Sequence, residues 1–382
     1  MLITVGSSLF SIVPSYYGAR SLSLGYAGTA FSYDLNAIFI NPSLLATLPY
    51  SLSGYQYQNS YLDNKNFTGS LSDILNYDLK NFASLPNGQK EILFSKLKGL
   101  YSLNTGIYGF SANIPGYAGR NYGISVSLVN TAIISPVNPG KDFFTKAPAT
   151  VTNGEISTLA MNILGLKYKQ ISLSYAFSLT NEIYFGVTLH YLNGKLNESR
   201  PVLISNTFTI DSGSKDYLEQ AWDAADKKFS KIIVDLSLNM DVGRYFKVAL
   251  VTRNVGNPDI KTQLRTITLE RRIIAGLALK PDPQWGIYLD MDIAKTDLLH
   301  NGDKMQPFSF GIEKGFFNNN FFARAGFISD LTEKHFFGSR SNALYGLGLG
   351  FNMKKFVVDF AVGMDSSGSV KNLAISGFIL FN

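Results

Sequence analysis

The groups in this chain that could do chemistry are charged residues set singly into apolar runs: Asp235, Lys247, Arg253, Arg272, Asp290, Asp292, Glu313, Arg324, Lys355 and Asp359. Their mixed signs suit cross-strand ion pairs and hydrogen bonds, or a route for a polar headgroup, and do not by themselves form a reaction centre. The three histidines, His190, His300 and His335, lack the His-x-x-x-His or Glu-x-x-His spacing of a metal site. No Gly-x-Ser-x-Gly elbow occurs. Cysteine is absent, which removes disulfides, thiolate metal sites and cysteine nucleophiles. The expectation is a protein that is not an enzyme and carries no cofactor or metal. A Ser–His pair placed on strands would leave no linear motif, so an outer-membrane phospholipase stands as a minor alternative.

The elements that must position these groups are strands. Ile183, Phe185, Val187, Leu189 and Tyr191 alternate with Tyr184, Gly186, Thr188, His190 and Leu192. Ile232 to Met240, Trp285 to Ile293 and Phe356 to Val362 repeat the pattern, and strict alternation of this length marks half-buried strands. About fourteen are predicted, starting near residues 51, 102, 121, 164, 182, 230, 244, 268, 284, 306, 319, 341, 354 and 371. The stretch Lys167 to Ile171 is where a hidden turn would add one more. No apolar run reaches the roughly 18 residues of a membrane helix, and the other structure that satisfies its backbone in lipid is a closed barrel. With 28 Phe and 21 Tyr the chain can supply interfacial aromatic girdles. Facing the apolar set to lipid turns the charged set inward, avoiding a cost of roughly 2 to 4 kcal/mol per Lys or Arg at the midplane.

Connections alternate between tight ones, at Thr180-Asn181, Gly243 and Met353-Lys354, and long ones. Short periplasmic turns and longer extracellular loops are expected of an outer-membrane barrel. Leu71 to Leu100 and Asp211 to Lys228 have helical composition, whereas Ser135 to Glu155 reads as irregular loop. Met1 to Pro14 carry an apolar run of signal-peptide length, without a preceding Lys or Arg or a clear cleavage site.

One segment is unlike the rest. Residues Gly18 to Ala30 are rich in Gly, Ala and Ser and are followed by Asp34 and then by Asn41-Pro42-Ser43-Leu44-Leu45. This order and spacing resembles the N-terminal signature of the long-chain fatty-acid transporter family FadL and its relatives PorV and PorQ, with Ser43 where Ala is usual. Asn254-Val255-Gly256-Asn257-Pro258 is similar to a turn of the PorV-like branch, and Phe378 to Asn382 resembles a barrel assembly signal extended by one residue. The resemblance implies an all-β fold: a single transmembrane antiparallel β-barrel of about 14 strands, residues 51–382, with short helices in loops. Residues 1–50 would form an N-terminal segment and lumenal plug, with a possible signal remnant at 1–17. Arg20, Asp34, Asn41 and Pro42 would anchor the plug. Gly346, Gly348 and Gly350 lie within one strand, and glycine there permits close approach of another backbone, so they are expected to form the plug-packing strip. Asp235, Arg253, Asp290, Asp292, Glu313, Arg324 and Asp359 would make a lumenal polar network.

Two functions follow from the resemblance: passage of a hydrophobic or amphiphilic small-molecule ligand, gated by the plug, or a PorV-like role docking secretion machinery or carrying secreted surface proteins. A structural or adhesive barrel is a third. The expected partners are outer-membrane lipid, a hydrophobic ligand and a secretion-machinery or surface protein. Net charge is +6, yet Lys and Arg are scattered along the chain without a basic stripe, so no nucleic-acid partner is expected.

Overall fold

A backbone in lipid must find all its hydrogen bonds inside the protein, and fourteen antiparallel strands do so here by closing on themselves. The computed structural model describes residues 18–63, 67–102, 107–137, 139, 142–199, 227–261, 266–297, 304–332, 343–366 and 368–381. In chain order the wall strands are β1 (Ser51–Asp63), β2 (Ile107–Gly119), β3 (Tyr122–Val137), β4 (Ala160–Ser178), β5 (Ile183–Ser199), β6 (Lys227–Val242) and β7 (Phe246–Val255). They continue as β8 (Arg272–Leu279), β9 (Trp285–Asp292), β10 (Pro307–Phe316), β11 (Phe321–Asp330), β12 (Ala343–Met353), β13 (Phe356–Met364) and β14 (Val370–Phe381). Each pairs with its neighbours in sequence, and β1 closes the ring on β14, from Ser51↔Phe381 to Ser60↔Asn372.

The expected count of strands holds, and β4 runs unbroken through Lys167 to Ile171. Some boundaries move. β2 starts at Ile107, because the preceding helix continues to Tyr101, and Thr266–Thr268 form a small side ribbon with Asp259–Lys261 ahead of β8. Ser135 to Val137 extend β3 instead of opening a loop. Helices α3 (Phe67–Leu75) and α4 (Asn87–Tyr101) occupy the first long loop, as its composition suggested. The helix expected at Asp211 to Lys228 falls mostly outside the described residues, with Lys227 and Lys228 opening β6. His300, His335, Asn382 and residues 1–17 also lie outside them.

The connections sort by end. Those after β2, β4, β6, β8, β10 and β12 are tight, with Asn121, Gly243 and Lys354 at positive φ; those after β1, β3, β5, β7, β9 and β11 are long. On the outside, Phe185, Val187, Leu189 and Tyr191 of β5 present an apolar band continued by Ile232, Leu238 and Met240 of β6 and by Leu347, Leu349 and Phe360 opposite. The nine residues from Ile183 to Tyr191, rising about 3.3 Å each along a tilted strand, cover about 20–25 Å, which matches the lipid-facing band of an outer-membrane barrel. Tyr122, Tyr175, Tyr245, Phe246, Trp285 and Phe356 form an exposed aromatic girdle towards the tight-turn end. The closed ring, the apolar band and the division into tight and long connections are those of an outer-membrane barrel.

Leu189 sits within this band and is 48% exposed. Leu189→Arg is expected to lower folding free energy in lipid vesicles by about 2–4 kcal/mol, and Asn193→Arg, beyond the apolar band on the same strand, by no more than about 1 kcal/mol; reversible urea titration in vesicles measures both.

Candidate functional site

The interior is organised around residues 18–48. This segment contains α1 (Ala19–Ser23), α2 (Ala37–Ile40) and a 3₁₀ turn, Pro42–Thr47. It is almost wholly buried and touches inward-facing groups of all fourteen strands. A short chain can meet every stave of a closed ring only from within.

Close approach is what the glycines provide. A Cβ on Gly346 would run into the Leu22 carbonyl oxygen, and one on Gly348 into the Ser23 side chain. Gly350 differs: its Cβ would strike the Asp359 carboxylate and the Arg324 guanidinium, so its role is to leave room for that ion pair. Residues not singled out in the sequence make the same kind of contact, notably Gly326 beneath Leu24 and Gly186 beneath Pro42 and Ser43.

The charged groups form three clusters. In the first, Arg20 from α1 meets Glu313 of β10 (Nε to Oε2, 3.2 Å), which also accepts from Arg324 Nε of β11 at 2.6 Å. Arg324 Nη1 reaches Asp359 Oδ1 of β13 at 2.6 Å. All four are at most 4% exposed, and two cations balance two anions. Tyr33 and Tyr288 each donate a hydroxyl to Glu313 at 3.0 Å, and the Arg20 guanidinium lies 4.4 Å from the Tyr33 ring centroid. Alternation places Tyr288 on the inward face, but nothing in the sequence distinguishes its hydroxyl from an ordinary apolar aromatic.

In the second cluster Asp290 of β9 accepts from the Gly28 and Thr29 amides and the Thr29 hydroxyl at 2.7–2.9 Å, holding the segment by its backbone. Its neighbour Asp292 pairs with Arg272 through two bonds, 2.8 and 3.0 Å, within the wall. Asp34 turns instead to its own chain, accepting from Ser32 Oγ, Asn36 N and Asn36 Nδ2. Asn41 ties the segment together, donating from Nδ2 to the Thr29 carbonyl at 2.7 Å and accepting from the Ser43 amide at 3.1 Å, and Pro42 opens the 3₁₀ turn. One inward assignment needs correction: Lys355 is exposed in the tight turn after β12, because β12 ends at Met353; Lys247 keeps the inward parity of Arg253 and sits half-buried near the tight-turn end, beside Asp241.

The third cluster places Ser172, His190 and Asp235 on adjacent strands, with Ser172 Oγ 2.8 Å from His190 Nδ1 and His190 Nε2 3.2 Å from Asp235 Oδ2. The order of groups is that of an acid–base relay. Ser172 is fully buried, however, and the Gln170 amide nitrogen crowds both its hydroxyl and Nδ1, at 3.0 and 2.9 Å. The cluster acts as a brace: Asp235 Oδ1 takes the Asn254 amide at 2.9 Å where the β6–β7 register shifts, and Arg253 Nη2 donates to the Ile40 carbonyl at 3.1 Å. The positive φ of Asn254, Gly256 and Asn257 makes that shift possible.

Apolar residues fill the loop-side interior between β2 and β6. Phe110, Val129, Leu164, Leu166, Leu192 and Ile233 pack in one cluster with Leu35, Ile38 and Leu45 of the segment below. By contrast, a hollow of about 940 Å³ lies on the wall from β9 round to β1, lined mainly by outward-facing apolar side chains such as Leu347, Leu349, Phe360 and Leu373.

A closed ring of this kind has known counterparts. Solved structures superpose over nearly the full length: the CymD monoaromatic hydrocarbon channel (TM-score 0.55, 12% identity, 97% of this chain and 99% of that one) and the Pseudomonas putida toluene transporter TodX (0.55, 11%, 96% and 99%). A Pseudomonas aeruginosa FadL homologue matches likewise (0.54, 10%, 96% and 98%). The fold is that of the FadL-like barrels. Neither a protein-family model nor a curated protein sequence matches the chain.

Above this FadL-like barrel the loops build a second core. Phe67, Ile74, Phe82, Leu93, Leu97 and Phe143 are all buried there, and Phe94, Phe143, Phe144 and Tyr101 pack ring against ring at 4.8–5.6 Å. Helix α5 (Asn153–Ile156) is held by a capping box between Thr152 and Glu155. Lys146 and Thr152 pull the Glu155 carboxyl down to about 2.

Two outcomes are expected. Glu313→Gln leaves Arg20 without its carboxylate, and breaking a buried pair costs about 3–5 kcal/mol; hydrogen exchange across residues 18–48 should accelerate, and adding Arg20→Leu should recover part of the loss. For Glu155, a lowered carboxyl contributes stability above the ordinary carboxylate range, near pH 4.3, and loses it as pH falls towards 2. Protection of residues 152–160, corrected for intrinsic exchange, should therefore be constant from pH 7 to 5 and drop at pH 2.5.

Proposed function

We propose that this barrel passes hydrophobic or amphiphilic small molecules across the outer membrane and that residues 18–45 act as its plug. The observation that carries the reading is the contact of one buried segment with every strand, directly beneath a continuous apolar lining that faces the loops. On this reading residues 1–50 and 51–382 are plug-bearing segment and barrel. Arg20, Asn41 and Pro42 are its anchors, Asp34 shapes its turn, and Gly346 and Gly348 are the strip it packs on. The neighbours named as a hydrocarbon channel and a toluene transporter support the ligand class.

Apolar contact supplies about 25 cal/mol per Å² buried, so a hydrophobic solute gains by leaving water for the loop core and the lining below it. Passage then requires the charged cluster at Glu313 to let α1 move, or a sideways exit. The wall seam that suits an exit lies between β2 and β3, where pairing breaks off from Asn113 to Gly116 and Pro115 removes a ladder donor.

The folded loop core also offers a surface for a secreted protein or a translocon, which is the second reading. Mass spectrometry of the detergent-extracted protein decides between them, using intact chain, a form lacking residues 18–45 and Glu313→Gln. A discrete hydrophobic ligand held by the intact chain and lost or exchanged in the variants supports gated passage. A stoichiometric protein partner with no such ligand transfers the role to docking.

A further inference from the structure

The lysines that look scattered in sequence are brought into line by register. On the outer face of β3 to β6, three successive rows climb towards the long loops. The first is Val126, Ile171, Tyr191 and Ile232; the second is Leu128, Lys169, Asn193 and Ser230; the third is Asn130, Lys167, Lys195 and Lys228. The first row is the edge of the apolar band, with Ile232 68% exposed. The third sets three ammonium groups directly side by side on strands about 4.8 Å apart, and Lys169 lies one row below, about 6.6 Å away.

All four lysines are exposed. None of them has an ion-pair partner among the described residues, and the carboxylates borne by these strands, Glu198, Asp235 and Asp241, point inward. Like charges directly opposite one another destabilise a sheet. Between β11 and β12 the outward pair at the loop-side edge is uncharged, Ser329 facing Ala343. A cationic row at the upper edge of a lipid-facing band meets lipid headgroups on the loop side. We propose that Lys167, Lys195 and Lys228, with Lys169 beneath, bind the phosphate groups of an anionic lipid in the outer leaflet, its acyl chains lying on Ile171, Tyr191 and Ile232. This site is on the outer wall and does not depend on the transport reading.

The test uses the full chain in a neutral detergent, titrated in native mass spectrometry with diphosphorylated lipid A, with phosphatidylcholine and with inorganic phosphate. The triple variant Lys167→Gln, Lys195→Gln, Lys228→Gln should bind lipid A at least tenfold more weakly, while Lys98→Gln, Lys261→Gln, Lys354→Gln, with the same change in charge, should stay within twofold. Lipid A should raise the melting temperature of the wild type and not of the first triple variant, whose lipid-free melting temperature should equal or exceed that of the wild type because the repulsion is gone. Equal lipid binding by the two triple variants, or equal retention of phosphatidylcholine and lipid A, would overturn the proposal. So would displacement of lipid A by inorganic phosphate at matching concentration, which would make the row a site for the free ion.

Discussion

Everything in this molecule depends on the ladder between β1 and β14. A sheet with two open edges cannot remain in hydrocarbon, and the pairs from Ser51↔Phe381 to Ser60↔Asn372 remove both at once. Closure then forces a division. Side chains alternate in and out along every strand, so a chain with apolar residues at one parity and polar residues at the other has a lipid-facing wall and a polar lumen together.

A polar lumen has to be filled, and here protein fills it. Glu313 gathers two arginines and two tyrosine hydroxyls around one carboxylate, while Asp290 captures two backbone amides and a hydroxyl. The two solutions differ. Glu313 joins side chains from the wall to a side chain of the segment; Asp290 grips the main chain, which any sequence with a free amide could offer. That difference explains why Arg20 stands out in the sequence and Thr29 does not.

The fold was legible because it is written in parity. Alternation places Leu189 outside and His190 inside without knowledge of the partner strand, and strand number follows from counting. Pairings between distant strands were not legible. The sequence indicates that Asp235, Arg253 and Glu313 face inward, but which of them meet depends on shear and on where the segment turns, and so Asp34 turned to its own chain. The lysine row escaped for the same reason. Lys167, Lys195 and Lys228 are about thirty residues apart in the chain and adjacent only through register. Lys355 was misplaced because parity says nothing once a strand has ended.

The seat of α1 has a further consequence, for assembly. Its helix rests on β12, β13 and β14, and the Ala19 amide donates to Ser376, 357 positions away. The first described helix therefore docks on the last strands to be made. Contacts of such high sequence separation form late, so the N-terminal segment must stay uncommitted until the wall is nearly complete, and its burial reports that the ring has closed.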